Sequence, residues 1–210
     1  MKNSYDFEDN IDEKYKEILY HDKIEIDNPN KHHHIRINYI DRIQMIVSLV
    51  KKYFPIPDQI NIGDFACGQG NISLLLAELG YKVFAIDLNP IFIEYSKMKY
   101  ESGNIEWINE NIDNLDFSEN SLDVAIAGEI IEHCAYPEDI LQKIFKFIRP
   151  RGILIITTPN ASRIFTGLPT FGHLLNKEQR KQFMEKQFGP DDQDHLFLFQ
   201  LDEIRYILPQ

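Results

Sequence analysis

The chain has 210 residues, 33 of them acidic and 22 basic, for a formal net charge of −11. Such a balance weighs against a duplex nucleic acid partner, because phosphate binding rests on clustered Lys and Arg. No apolar run approaches the roughly 20 residues that span a bilayer, and a hydrophobic fraction of 43% can build a core without help from disulfides.

The first ten residues are acidic and lack an apolar stretch, so they do not read as a secretory signal. Cys67 and Cys134 lie far apart and read as two reduced thiols of a cytoplasmic protein. Residues 1–34 are polar and read as an N-terminal arm with one short helix. His32, His33 and His34 read as its solvated end.

Residues 35–54 place Ile40, Ile43, Ile46, Val47 and Val50 at three- and four-residue steps, which predicts an amphipathic helix. Pro55 and Pro57 end it. Strands are then predicted at 60–67, 81–88, 105–110, 122–129 and 152–159. Helices are predicted between them at 71–80, 90–101 and 137–148. This alternation means βαβ units, hence an α/β, doubly wound, mostly parallel sheet covered on both faces. Residues 160–194 break the alternation and read as an inserted lid or substrate-side segment around a charged helix. Residues 195–208 are predicted to return to a helix.

Asp64-Phe65-Ala66-Cys67-Gly68-Gln69-Gly70 runs from the first strand into a helix, and the second strand ends in Asp87. Small residues in such a turn let a ligand approach backbone N–H groups, and an acid at the next strand end suits ribose hydroxyls. The sequence G-Q-G-N-I-S puts Ser73 where a dinucleotide fingerprint has its third glycine. Asp64 before the turn suits an ammonium group better than a pyrophosphate.

These residues resemble the class I S-adenosylmethionine (SAM) dependent methyltransferases. Further matches follow in order: Asn111-Ile112 after the third strand, LDFSENSLDVAIAGEIIEH around the fourth, and FIRPRGILIITTPN at the fifth. The resemblance covers roughly residues 35–208. It implies a Rossmann-like fold with SAM as cofactor. Gly68 and Gly70 would let the backbone pass under the methionine portion, and Ala66 and Gly128 would also belong to the cofactor site. Asp64 would accept from the SAM ammonium, Asp87 would bind the ribose, and Leu88 would pack on the adenine. Asn111 stands where the family usually has Asp, and with Ile112 it would meet the adenine. Arg36-x-x-Tyr39-Ile40 resembles the helix ahead of the core in ubiquinone-type O-methyltransferases, where the arginine holds the SAM carboxylate. The family's sheet has seven strands. This chain stops where the sixth should begin, which predicts an open fifth-strand edge covered by another chain, a second copy or the N-terminal arm.

Glu129-Ile130-Ile131-Glu132-His133 follows the fourth strand, and Asp194-His195 precedes the last predicted helix. On a helical turn Glu129 and His133 would share a face, whereas Glu132 and His133 need a bent backbone to converge. This pattern is similar to that of ubiquinone-type O-methyltransferases and of small-RNA terminal ribose methyltransferases. One reading makes His133 a general base. Another makes Glu129, Glu132, His133 and His195 ligands of Mg²⁺, Mn²⁺ or Zn²⁺. A third makes His133 and a neighbouring acid a purely structural pair. The function expected is methyl transfer to a small-molecule acceptor, most simply a hydroxyl oxygen. The alternatives are a metal-dependent RNA ribose methyltransferase and a non-catalytic SAM-fold partner subunit.

Overall fold

Five parallel strands form one sheet in the computed structural model, in the order β3-β2-β1-β4-β5. The structure describes residues 11–27, 33–163, 167–174, 176–184 and 195–208, with side chains at all but 27 and 33–37. The strands are β1 (Asn61–Phe65), β2 (Lys82–Asp87), β3 (Asn104–Asn109), β4 (Leu122–Gly128) and β5 (Ile148–Thr157). All five predicted strands form. β5 begins earlier than expected because Ile148 pairs with Leu122 before a register shift brings Ile153 opposite Val124.

Alternate residues of the strands feed two cores, as the period of two requires. Ile62, Val83, Val124 and Ile126 pack with Ile46 and Val50 of α2 (His33–Tyr53) and Leu76 of α3 (Asn71–Glu78). Phe65, Ile86, Ala125 and Ala127 pack with Leu141, Ile144 and Phe147 of α5 (Pro137–Phe147). Both faces are thereby covered. The sheet reverses its winding between β1 and β4, the crevice where ligands bind in this topology.

Residues 11–27 are bound to the domain at the side away from β5. Ile18 and Leu19 of α1 (Lys16–Asp22) pack on Tyr95 of α4 (Pro90–Lys99). Asp22 is buried there and accepts from Lys99 Nζ at 2.7 Å, Asn71 Nδ2 at 2.6 Å and Tyr95 OH at 2.9 Å. The described part of the arm, residues 11–27, therefore lies away from the β5 edge. The buried ion pair commits it to α3 and α4 instead.

The predicted helix over 195–208 is also corrected. Leu196, Phe197, Leu198 and Phe199 are all buried, and four consecutive residues cannot share one helix stripe. They run extended, with bridges from Leu198 to Thr170 and from Phe199 to Asn160. The helix α7 (Leu201–Ile207) starts only after Gln200, which closes a capping box with Glu203. Of the charged helix expected in the 160–194 segment, α6 (Lys177–Lys181) is described. Arg180 holds it to the domain by two bonds to Glu138, at 2.7 and 2.6 Å, and one to the Ala135 carbonyl at 3.2 Å.

Candidate cofactor site and its acid–histidine wall

The glycine turn is built from left-handed backbone. Ala66, Gly68 and Gly70 have φ of 59°, 52° and 73°. At Gly70 a Cβ would lie 2.6 Å from Ser96 Oγ, so α4 itself demands glycine there. At Gly68 a Cβ would meet nothing within 4 Å. Gly68 thus faces open space at the strand ends, on the side a ligand would take.

Asp87 closes the turn from β2. Its carboxylate accepts from Gly68 N–H at 2.8 Å and from Asn89 N–H at 2.8 Å. Beside it, Leu88 is half-exposed, and Asn109 fixes its carbonyl at 2.8 Å. Asp64 lies beneath the turn, fully buried. Ser73 donates to it at 2.5 Å, which accounts for a serine in the place of the third glycine. Burial and the nearby Asp87 raise the Asp64 carboxyl to about 7. Asn111 caps a short turn, its amide oxygen accepting from Asp113 N–H at 2.9 Å. Ile112 packs into the core beside Phe65 and Ile86. Arg36 falls in α2, but its side chain lies outside the described residues, as does Asp194 altogether.

Beyond Gly128 at the end of β4, Glu129 takes φ of 52° and its N–H donates to Thr157. This left-handed residue bends the chain into a 3-10 turn over Ile131–His133, so Glu129 and His133 do not share a helical face as predicted. Glu129 faces α2 instead, with Oε2 3.1 Å from Arg42 Nη1. The bend brings Glu132 and His133 together with His195, and ligand atoms of these three lie within 4.8 Å of one another. The two imidazole rings meet edge to face at 4.9 Å.

Glu132 is fully buried. Thr158 Oγ1 donates to its Oε2 at 2.9 Å, while Oε1 has no hydrogen-bond partner among the described residues. Burial and the Glu129 charge push its carboxyl up to about 8. Burial lowers the His195 pKa, against the raising effect of Glu129. The backbone carbonyl of Glu132 accepts from Leu196 N–H at 2.8 Å, which fixes His195 beside the turn.

Three contributors escaped the sequence reading. Arg42 lies off the apolar stripe of α2, Glu25 comes from the arm, and Thr158 follows β5. No local motif marks Arg42 or Glu25, and Thr158 lies within the FIRPRGILIITTPN stretch without standing out from it.

Nucleotide-type α/β folds place a glycine turn and an acid at adjacent strand ends, and this chain does so at its winding reversal. Residues 63–156 match the family model of the methyltransferase domain. A ubiquinone biosynthesis O-methyltransferase of Rickettsia typhi is 32% identical over 130 residues, covering 61% of this chain and 52% of that protein. The mitochondrial ubiquinone biosynthesis O-methyltransferase of Schizosaccharomyces pombe is 27% identical over 146 residues, covering 59% and 53%. The chain thus spans about half the length of these curated relatives. Its fold is similar to that of the Synechocystis magnesium protoporphyrin IX methyltransferase with bound SAH, with a TM-score of 0.62, 15% identity, and coverage of 88% and 78%. Over residues 63–156 the chain is thus similar to SAM-dependent methyltransferases. No helix among the described residues is long and apolar enough to cross a membrane.

Proposed function

We propose that the chain transfers the sulfonium methyl group of SAM to a hydroxyl oxygen of a small-molecule acceptor. The observation that carries this is the meeting of His133 and His195 with Glu132 just beyond β4, next to the glycine turn. In an in-line displacement, an acceptor oxygen attacks the methyl carbon, the carbon–sulfur bond breaks, and S-adenosylhomocysteine (SAH) leaves with the electron pair. SAM is already activated, so the protein supplies alignment and exclusion of water. The hydroxyl proton passes to a base, and His133 is assigned that role.

The curated relatives named as O-methyltransferases support an oxygen acceptor. The charge of −11 favours a small molecule over RNA. The open space beside Gly68 supports the cofactor roles inferred for Gly68, Gly70, Asp87 and Leu88.

A second reading rests on the unpartnered Glu132 Oε1. Glu132, His133 and His195 offer one carboxylate and two imidazoles, a donor set that fits Zn²⁺ or Mn²⁺ better than Mg²⁺. Such an ion would lower the pKa of a bound acceptor hydroxyl. Glu129, paired with Arg42, would stand outside that set.

Calorimetric titration with SAH, followed by labelled-methyl transfer to small hydroxylated aromatics and to RNA, tests the proposal. Absence of SAH binding, or transfer to RNA alone, overturns it. Activity that disappears with EDTA and returns with Mn²⁺ selects the metal reading over the simple base.

A further inference from the structure

The β2–β3 ladder ends on the pair Asp87 and Asn109. There the β2 chain turns toward α4, and the carbonyls at the turn need another donor. The Asn109 side chain supplies it. Its Nδ2 donates to the Asp87 carbonyl at 3.0 Å and to the Leu88 carbonyl at 2.8 Å. One amide group thus uses both its hydrogens on two consecutive carbonyls and extends the ladder by a residue. The Asp87 carboxylate is held separately, by the N–H groups of Gly68 and Asn89. Asn89 in turn caps α4 by accepting from Ile91 N–H at 3.0 Å. Leu88 is different: its side chain is 48% exposed at the strand end, too open to be fixed by core packing.

A ligand with its middle at the β2 acid and one end on the β1 glycine turn carries its other end toward β3, the next strand of the sheet. Resting on the cofactor reading above, we propose that Asn109 is a positioning residue for the nucleobase end of the cofactor. It acts through Leu88 and not on the ligand itself, by fixing the backbone that carries the apolar side chain under the base. Loss of the amide leaves the Asp87 carboxylate in place, because Gly68 and Asn89 hold it, and loosens Leu88. A platform already ordered in the free chain spares the ordering cost at the moment of binding.

The test is a double-mutant cycle read by SAH calorimetry on the full chain, with thermal melts of each ligand-free protein. Asn109→Ala is expected to weaken SAH by about three- to tenfold, and Leu88→Ala by about tenfold. Asn109→Asp keeps the shape and loses both donors, so it is expected to weaken SAH at least as much as Asn109→Ala. In the Leu88→Ala background, Asn109→Ala is expected to weaken SAH by less than about twofold further, because the group it positions is gone. Asn109 is exposed, so its variants should move the melting midpoint by no more than about 2 °C. A merely structural asparagine would lower the midpoint and leave the two losses of affinity independent. That result overturns the assignment, as does SAH binding by Asn109→Asp equal to that of the unaltered chain. Either leaves the cofactor reading standing. Failure of the unaltered chain to bind SAH overturns the assignment and the cofactor reading together.

Discussion

Ser73 donates its hydroxyl to the Asp64 carboxylate at 2.5 Å, joining the end of β1 to the first turn of α3 underneath the glycine loop. That bond favours the charged form of an acid whose burial opposes it, and burial wins, leaving the carboxyl near 7. Between about 3.9, its unfolded value, and 7 the folded state therefore holds a proton that the unfolded state has lost. Stability falls as pH rises through that window. Urea melts between pH 5 and 8 should show this fall, with the slope reduced in Asp64→Asn. Ser73→Ala removes a bond that lowers the pKa, so it should extend the fall to higher pH. Glu25 and Glu132 are raised in the same direction, so a residual slope is expected.

The Asp22–Lys99 pair predicts a different response. Both side chains are buried, and Asn71 Oδ1 also accepts from Lys99 Nζ at 2.6 Å. Removing one charge strands the other, so Lys99→Met or Asp22→Ala should each cost about 3–5 kcal/mol in denaturant melts. Asp22→Leu combined with Lys99→Met should recover most of that loss. A double variant no more stable than either single one would show that the hydrogen-bond network, and not charge pairing, holds the arm.

The sheet was legible in the sequence because β1, β2 and β4 alternate or run apolar between turns and helices of ordinary length. The glycine turn and the place of Asp87 beside it were legible because both depend on short spacing along the chain. What was hidden depends on crossing distances. Arg42 looks like a solvated residue of α2 until the fold brings Glu129 to it. The convergence of Glu132 with His133 depends on the left-handed backbone at Glu129, which no side-chain pattern announces. Leu196–Phe199 misled because local apolar density cannot separate a buried extended run from a helix.

Arg180 predicts how α6 is held to the domain. Its side chain is only 2% exposed, bonded twice to Glu138 and lying over the rings of Tyr136 at 5.2 Å and Phe171 at 4.9 Å. Arg180→Ala removes the bidentate pair and both ring contacts at once. Limited proteolysis should then cut near α6 at protein concentrations and times that leave the unaltered chain intact. Glu138→Gln keeps one acceptor and the ring contacts, so it should be cut more slowly than Arg180→Ala. Equal protection of all three would mean that α6 is held elsewhere.

Gly68 and Gly70 separate folding from binding within one turn. Both have positive φ, so alanine at either costs about 1–2 kcal/mol of backbone strain. At Gly70 the added Cβ also falls 2.6 Å from Ser96 Oγ and 2.8 Å from Ser96 Cβ, an overlap that requires α4 to move. Overpacking adds about 1–3 kcal/mol. Gly70→Ala should therefore lose stability well beyond Gly68→Ala, and Ser96→Ala should restore part of it by removing the oxygen. At Gly68 the Cβ points into open space, so only the strain remains. If that space is where the cofactor lies, Gly68→Ala should weaken SAH far more than it lowers the melting midpoint. Thermal melts and SAH titrations on the same four proteins decide it. Loss of SAH affinity that merely tracks loss of stability would move the cofactor away from Gly68.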